Sequence, residues 1–323
     1  MRLFKHANFD FIKIQKWAWG ITAAIIIPGI VAMIALPTNS SVEFTGGTLV
    51  QVQAEQAPDF GRLREALSAN GLHGAELQQY GRPTEFVIRA RAAVTGTDAD
   101  NTTVTAQAVG KALDEVLGAG KWINMHTYAV GPKVGAELRT QAFYLILLSF
   151  FAVTIYLAWR FEWRFGVAAV LATMHDIVAT VGFITMMRLE VSLVVVAAVL
   201  SMVGYSLNDT IIIFDRVREN LHKYKRSDLY GILNRSVNET LPRSILTHGT
   251  TLSTLGALAI FGGDVIRPFA LVMFFGVFTG TFSSIFIAPP VLLYIERRWP
   301  GQDVKGARSI AAPTVTPAAP ATR

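Results

Sequence analysis

The sequence predicts a helical membrane protein: six transmembrane helices, with one small α+β domain carried between the first and the second. Three observations predict it. Of the 323 residues, 52% are hydrophobic and only 16% are charged, against about 25% charged in a soluble domain. The apolar residues collect in runs of about 20, the length that crosses a bilayer. The basic residues gather at the ends of those runs, mostly on one side.

The runs are 17–36, 141–159, 165–187, 191–214, 244–262 and 268–295. Their length and continuity fit helices, not barrel strands. The fifth is rich in Thr and Ser and is the weakest by hydropathy. Net charge is +6 and the isoelectric point about 9.6. A basic chain first suggests nucleic acid, but the placement of charge argues against it. Arg2, Lys5, Lys13 and Lys16 precede the first run. Arg160 and Arg164 lie between the second and third, and Arg216, Arg218, Lys223, Lys225, Arg226 and Arg235 between the fourth and fifth. Arg297 and Arg298 follow the last. The two short turns on the other side hold only Arg188 and Arg267. The positive-inside rule then puts both termini in the cytoplasm and residues 37–139 outside, in a multi-pass membrane protein.

Residues 1–16 read as an amphipathic lead-in at the cytoplasmic interface, with Phe4, Phe9, Phe11, Ile12 and Ile14 among basic residues. Residues 17–36 read as an uncleaved signal anchor. Residues 37–139 read as one domain. A β-rich stretch, 42–54, is interrupted by Gly46-Gly47. A helix follows over 59–70, with Phe60, Leu63, Ala66 and Leu67 at helical spacing and Gly71 after it. Strands 76–80 and 85–90, a helix over 103–117 and a strand 122–130 complete the order βαββαβ, the ferredoxin-like arrangement. Residues 140–298 carry the other five helices, with a mixed, partly helical cytoplasmic loop at 215–242. Residues 299–323, with "AAPTVTPAAPAT", read as a disordered tail. With no cysteine, the chain has neither disulfides nor thiolate chemistry. It has no phosphate-binding G-x-x-x-x-G-K-[ST] and no clustered metal ligands, so no ATP-driven enzyme and no cofactor are expected.

The informative residues are polar ones inside apolar runs. Asp209 is the only charged residue between Val191 and Phe214, and a carboxylate at such depth costs about 2.5–3.5 kcal/mol. Ser201, Gly204, Tyr205, Asn208 and Asp209 recur at spacings of three and four, a small and polar stripe suited to packing against protein. Asn208 and Thr210 are candidate hydrogen-bond partners for Asp209. Ala169, Thr173, Asp176 and Thr180 form a second stripe, beside His175. Arg243, Thr247, Thr250, Thr254 and Ala257 form a third, flanked by His248 and Thr251. Gly276-x-x-x-Gly280, then Ser283 and Ser284, permit close packing in the sixth helix. A buried carboxylate can be a structural peg or a proton site. An Asp that alternately gains and loses a basic neighbour can bind and release a proton. On its residues alone, Arg243 is an ordinary positive-inside arginine, and His175 and His248 are candidates for titration or for mere packing.

Several longer motifs carry a resemblance: "EFTGGT" from Glu43, "GPKVGAEL" from Gly131, "RFEWRFG" from Arg160, His175-Asp176, "VGYSLNDT" from Val203, "FDRVREN" from Phe214 and "TTLSTLGALAIFGG" from Thr250. Over residues 10–298 the chain resembles the SecF family, the smaller half of the bacterial SecD–SecF auxiliary complex of the protein translocation channel. The resemblance implies an RND-like half-bundle of six helices with one periplasmic domain. It implies SecD as the partner completing a pseudo-twofold bundle, the SecYEG channel with YajC and YidC nearby, and unfolded preproteins as substrates. It implies protons as coupling ion, with Asp209 and Arg243 on the proton path. Asp176 and Asn208 are then supporting residues. Glu43 stands where Asp is usual, and His248 where Ser is common.

The expected mechanism is that protonating Asp209 weakens its attraction to Arg243, the helices repack, and the 131–138 connection moves the outer domain. A proton entering down about 100 mV releases about 2.3 kcal/mol. Two alternatives stand beside it: an RND-type exporter of small molecules, and a non-conducting scaffold of the translocase in which Asp209 is a peg.

Overall fold

In the computed structural model, residues 8–79, 82–90, 98–224 and 227–300 are described; the tail expected at 299–323 lies almost wholly outside them. Apolar runs become helices because a backbone in lipid must satisfy its own hydrogen bonds. Six helical spans are long and apolar enough to cross a membrane. They are α1 (Gln15–Ala35), α5 (Pro132–Arg160), α6 (Trp163–Met186), α7 (Leu193–Lys223), α8 (Leu229–Phe261), and α9 (Gly263–Phe286) continued by α10 (Ala288–Arg298). The last span breaks at Ile287, just ahead of Pro289 and Pro290, which lack the N–H a continuing helix needs. The bundle core gathers Leu157, Phe165, Met202, Phe214, Val272 and Leu292 among others. Its tightest approaches are at glycines. A Cβ on Gly182 of α6 would lie 2.8 Å from Gly29 Cα of α1, and one on Gly280 of α9 would lie 2.8 Å from Ser206 Cβ of α7.

The domain between α1 and α5 is the expected one. It comprises β1 (Gly47–Ala54), α3 (Phe60–Ala69), β2 (Glu76–Gln79), β3 (Glu85–Ala90), α4 (Asp98–Leu117) and β4 (Trp122–Val130). The sheet order is β2-β3-β1-β4, every neighbouring pair antiparallel. Asp59 caps α3 by accepting from Gly61 N at 2.8 Å. Val50, Val52, Phe86 and Ile88 meet Leu63, Leu67, Val109 and Leu113 of the two helices in a separate core.

The structure corrects the sequence reading in four places. Residues 42–45 are not strand but a single helical turn, α2 (Val42–Thr45). Gly46 and Gly47, at φ 72° and 138°, then redirect the chain into β1. Residues 132–139, read as the end of the outer domain, are the start of α5, so the domain's last strand runs almost directly into a membrane helix. The 215–242 segment is nearly all helix, as extensions of α7 and α8. The part of the lead-in that is described docks partly on protein, with Phe9 and Ile14 left exposed. Phe11 and Ile12 are buried in the bundle core. Phe9 N donates to Asn238 Oδ1 (2.9 Å), Ile12 N to Asn234 Oδ1 (3.2 Å) and Tyr230 Oη to Asp10 Oδ1 (2.6 Å).

Domain and bundle meet at a built junction. Phe44 of α2 packs with Ala142 of α5 and Val196 of α7. Glu43 Oε2 accepts from Leu193 N at 2.6 Å, so it satisfies a free amide at the start of α7. Ser41 N donates to Val191 O, and Val191 N to Asn39 O. Arg89 of β3 pairs with Glu190, in the turn between α6 and α7. Burial pushes the Glu190 carboxyl above its ordinary range, the Arg89 guanidinium opposes this, and the Glu43 and Glu76 charges add to it. The folded chain therefore holds the Glu190 proton more tightly than the unfolded chain. That contribution to stability is present in acid and is lost as pH rises through the folded-state value. Glu190→Gln is expected to shrink the difference in melting temperature between about pH 5 and about pH 7. An unchanged difference would show that this carboxyl adds nothing.

Candidate functional site

Small residues let α6, α7, α8 and α9 approach closely enough for their hydroxyls to reach two carboxylates. Asp176 on α6 is fully buried and Asp209 on α7 is 4% exposed. Ser206 Oγ of α7 and Ser283 Oγ of α9 donate to Asp176 Oδ2, at 2.5 and 2.7 Å. His175 Nδ1 lies 2.8 Å from Asp176 Oδ1, and its Nε2 is 3.4 Å from Thr22 Oγ1 of α1. Ser244 Oγ of α8 and Ser284 Oγ of α9 donate to Asp209 Oδ1 and Oδ2, at 2.6 and 2.7 Å. Ser283 and Ser284 are neighbours in sequence, so one turn of α9 serves both acids.

The energetics are balanced. Placing an Asp at this depth costs about 2.5–3.5 kcal/mol. A hydrogen bond to a charged group returns about 1.5–3 kcal/mol, so two hydroxyls are enough to hold Asp209 without a cation. Ser284→Ala is expected to lower stability by about 1–3 kcal/mol, because it leaves a buried acceptor unpaired. Thermal unfolding in detergent measures this, and a melting temperature within error of the parent chain would contradict it.

The four residues singled out from the sequence fare differently. Asp209 and Asp176 lie in the bundle interior, and Ser206 and the Ser283-Ser284 pair link their surroundings. Asn208 is exposed on the chain and its side chain makes no hydrogen bond to Asp209, whose donors are Ser244 and Ser284; Thr210 Oγ1 donates to Ser206 O at 3.5 Å instead. Arg243 is exposed and makes no hydrogen bond or ion pair with any described residue; it is the adjacent Ser244 that reaches Asp209. The stripe that begins at Arg243 is exposed throughout, at Thr247, Thr250, Thr254 and Ala257. So are Ser201, Gly204 and Asn208 of α7. Sequence reasoning missed Ser206 and Ser244 as ligands of the acids and took Ser283 and Ser284 for packing residues. The available signal was a serine three residues before Asp209 and one just after Arg243, both inside apolar helices.

Comparison with known proteins agrees with this architecture. Residues 109–298 match the family model for the protein export membrane protein SecD/SecF, C-terminal. The protein translocase subunit SecF of Gemmatimonas aurantiaca is 52% identical over 317 residues, covering 97% of this chain and 95% of that one. SecF of Desulfurispirillum indicum is 38% identical over 295 residues, covering 90% and 92%. Among solved structures, the translocon-associated membrane protein SecDF of Thermus thermophilus superposes with a TM-score of 0.80 at 32% identity over 92% of this chain. A SecDF structure in its super-membrane-facing form gives 0.65, also at 32% identity. This chain spans 40% of the length of the first SecDF chain and 39% of the second. The six spans, the antiparallel domain and the SecF relatives matched along nearly their whole length lead to one assignment: the chain belongs to the SecD/SecF family of protein export membrane proteins.

Proposed function

We propose that this chain uses proton flow across the inner membrane to promote preprotein translocation and release on the outer face of the Sec channel, in complex with SecD. The single observation that carries the reading is the pair of buried carboxylates joined through one turn of α9. The magnitudes suit it. The roughly 2.3 kcal/mol released by one proton crossing about 100 mV matches the loss of one or two hydrogen bonds to a carboxylate, about 1.5–3 kcal/mol each. One proton is therefore enough to switch Asp209 between two sets of partners.

The exposed polar stripes of α7 and α8 support a partner half. Arg243, Thr247, Thr250 and Thr254 sit on a helix that crosses the membrane, with Ser201, Gly204 and Asn208 on its neighbour. Lipid gives such groups nothing to bond, whereas small and polar faces pack against other helices. The SecDF chain, of which this chain matches 40%, leaves room for a second half of the same kind. In that assembly Arg243 would come to Asp209 in one of the two arrangements. The outer domain would follow through α2, whose Phe44 and Glu43 touch α5 and α7.

A second reading has its own observation. Both oxygens of Asp209 already have donors, as a peg in a non-conducting scaffold requires. The two readings part on one experiment: export of a secreted reporter and acid-driven proton uptake, measured in the same membranes with Asp209→Asn against the parent chain. Loss of both with the complex intact supports the relay, and retention of both supports the scaffold. The small-molecule exporter reading finds no support in the family.

A further inference from the structure

Among the described residues, two buried polar atoms near the carboxylates have no partner: His248 Nδ1 and Thr180 Oγ1. Both are well enclosed, with His248 4% exposed and Thr180 fully buried. Buried polar groups in native proteins almost always find a protein or water partner. Their positions are related. Thr180 follows Asp176 by four residues on α6, and His248 follows Ser244, the donor to Asp209, by four residues on α8. Residues four apart are neighbours on one helix face. α6 and α8 run toward the side that bears the sheet domain, so each unpartnered atom lies one turn nearer that domain than its carboxylate.

His248 is also joined to a hydroxyl track. Its ring meets Tyr205 edge-on, with centroids 5.3 Å apart. Tyr205 Oη lies 2.8 Å from Thr251 Oγ1 and donates to Thr247 O at 3.2 Å. Thr251 is half-buried, and Thr250 beside it is exposed. Polar groups therefore follow one another from the open face of α8, through Thr251 and Tyr205, to the ring of His248, with Ser244 and its partner Asp209 one turn along the same helix. The links on either side of His248 are ring contact and helix spacing, not hydrogen bonds. The titratable groups facing His248 are few. α7 supplies Tyr205, against the ring, and Asp209, reached through Ser244. α9 has no ionisable residue between Arg267 and its end at Phe286. Arg243, on the same helix, is exposed.

We infer that His248 is a proton-relaying residue between the domain-side face of the membrane and Asp209. Imidazole is the side chain suited to it, because it takes up and gives back a proton in the physiological range. The neutral ring accepts a proton at a nitrogen lone pair, supplied through the Tyr205 hydroxyl or a water at the unpartnered Nδ1. The imidazolium then yields one proton, by way of Ser244 or a second water, to the Asp209 carboxylate. The ring ends neutral, the carboxylate ends as the acid, and one proton has moved. The inference rests on the proton-relay reading of Asp209, and the test separates the two.

The intact complex, purified with its partner half, is reconstituted into vesicles. Acid-driven proton uptake is followed with a pH-sensitive dye between about pH 5 and 8, the range in which histidine titrates. Asp209→Asn is expected to give background uptake at every pH. His248→Gln keeps hydrogen-bonding capacity but cannot titrate. It is expected to reduce uptake about tenfold or more, within the usual reach of one acid–base group, and to flatten the pH profile. A dead Asp209→Asn alongside a His248→Gln that keeps the parent profile overturns the role of His248 alone. Full uptake by Asp209→Asn overturns the relay reading itself. If His248→Gln fails to assemble, Tyr205→Phe decides. That change keeps both rings and removes only the hydroxyl, with its links to Thr251 and Thr247. Uptake is expected to fall several-fold, and unchanged uptake overturns the route.

Discussion

Asp209→Asn is expected to abolish proton uptake and to bring export of a secreted reporter down to the level seen without the subunit, while the protein accumulates normally. The argument is one of chemistry at constant shape. The side-chain amide keeps an oxygen that accepts from one serine, and its NH2 donates to the hydroxyl of the other, since a serine both donates and accepts. Ser244 and Ser284 thus remain bonded, and the change is expected to cost no more than about 1 kcal/mol of stability, the net worth of an ordinary hydrogen bond. What disappears is the group that can hold a proton at this depth. Export and proton uptake are measured with membrane levels and complex assembly as controls. Normal export by this variant would make Asp209 a peg.

Gly135→Val is expected to abolish export by a different route, with both carboxylates untouched. Gly135 sits in the first turns of α5, directly against α2. A Cβ there would lie 2.8 Å from Gly46 N and 3.3 Å from Glu43 O. These are backbone atoms, so no rotamer change relieves the clash. The turn they belong to carries Phe44 into the junction core and Glu43 onto Leu193 N. Moving it separates the outer domain from α5 and α7 together. Overpacking of this kind costs about 1–3 kcal/mol, seen as a lower melting temperature. The functional loss is expected to exceed what that loss of stability explains. Gly20→Ala is the contrasting control: nothing lies within 4 Å of its Cβ, and an exposed helical Gly→Ala change commonly stabilises by about 0.4–1 kcal/mol. Parental export by Gly135→Val would show that the junction does not transmit motion.

Much of this was legible in the sequence, for identifiable reasons. The spans announced themselves because lipid enforces long apolar runs, and the sheet domain because its strands and helices keep their periods. β3 and β4 occupy 85–90 and 122–130, as read. Asp209 and Asp176 stood out because charge is rare in such runs. The helical turn at 42–45 was hidden because Val42 and Phe44 also fit an alternating strand, and only the turn through Gly46-Gly47 against Gly135 decides between them. The ligands of the acids were hidden for a deeper reason. Ser244, Ser283 and Ser284 lie 35 to 75 residues from Asp209 or 107 from Asp176, and no local pattern distinguishes a serine that packs from one that donates. Arg243 shows the converse. A resemblance marked it as part of the path, yet it is exposed on this chain, away from both acids' hydrogen bonds.

The placing of Ser283 and Ser284 has a consequence for control. Successive residues on a helix point about 100° apart, and these two lie in the last turn before the break at Ile287. A bend at that break, or a twist of α9, would act on both hydroxyls, because they stand on adjacent residues. Under the proposed relay, the two acids would be linked in the thermodynamic sense, through α9 as a lever and not through their own charges. Linkage is reciprocal: an event at Asp176 that favours one setting of α9 changes the balance at Asp209 by the same free energy as the reverse event. A stroke built on such a lever advances both sites in a single concerted step.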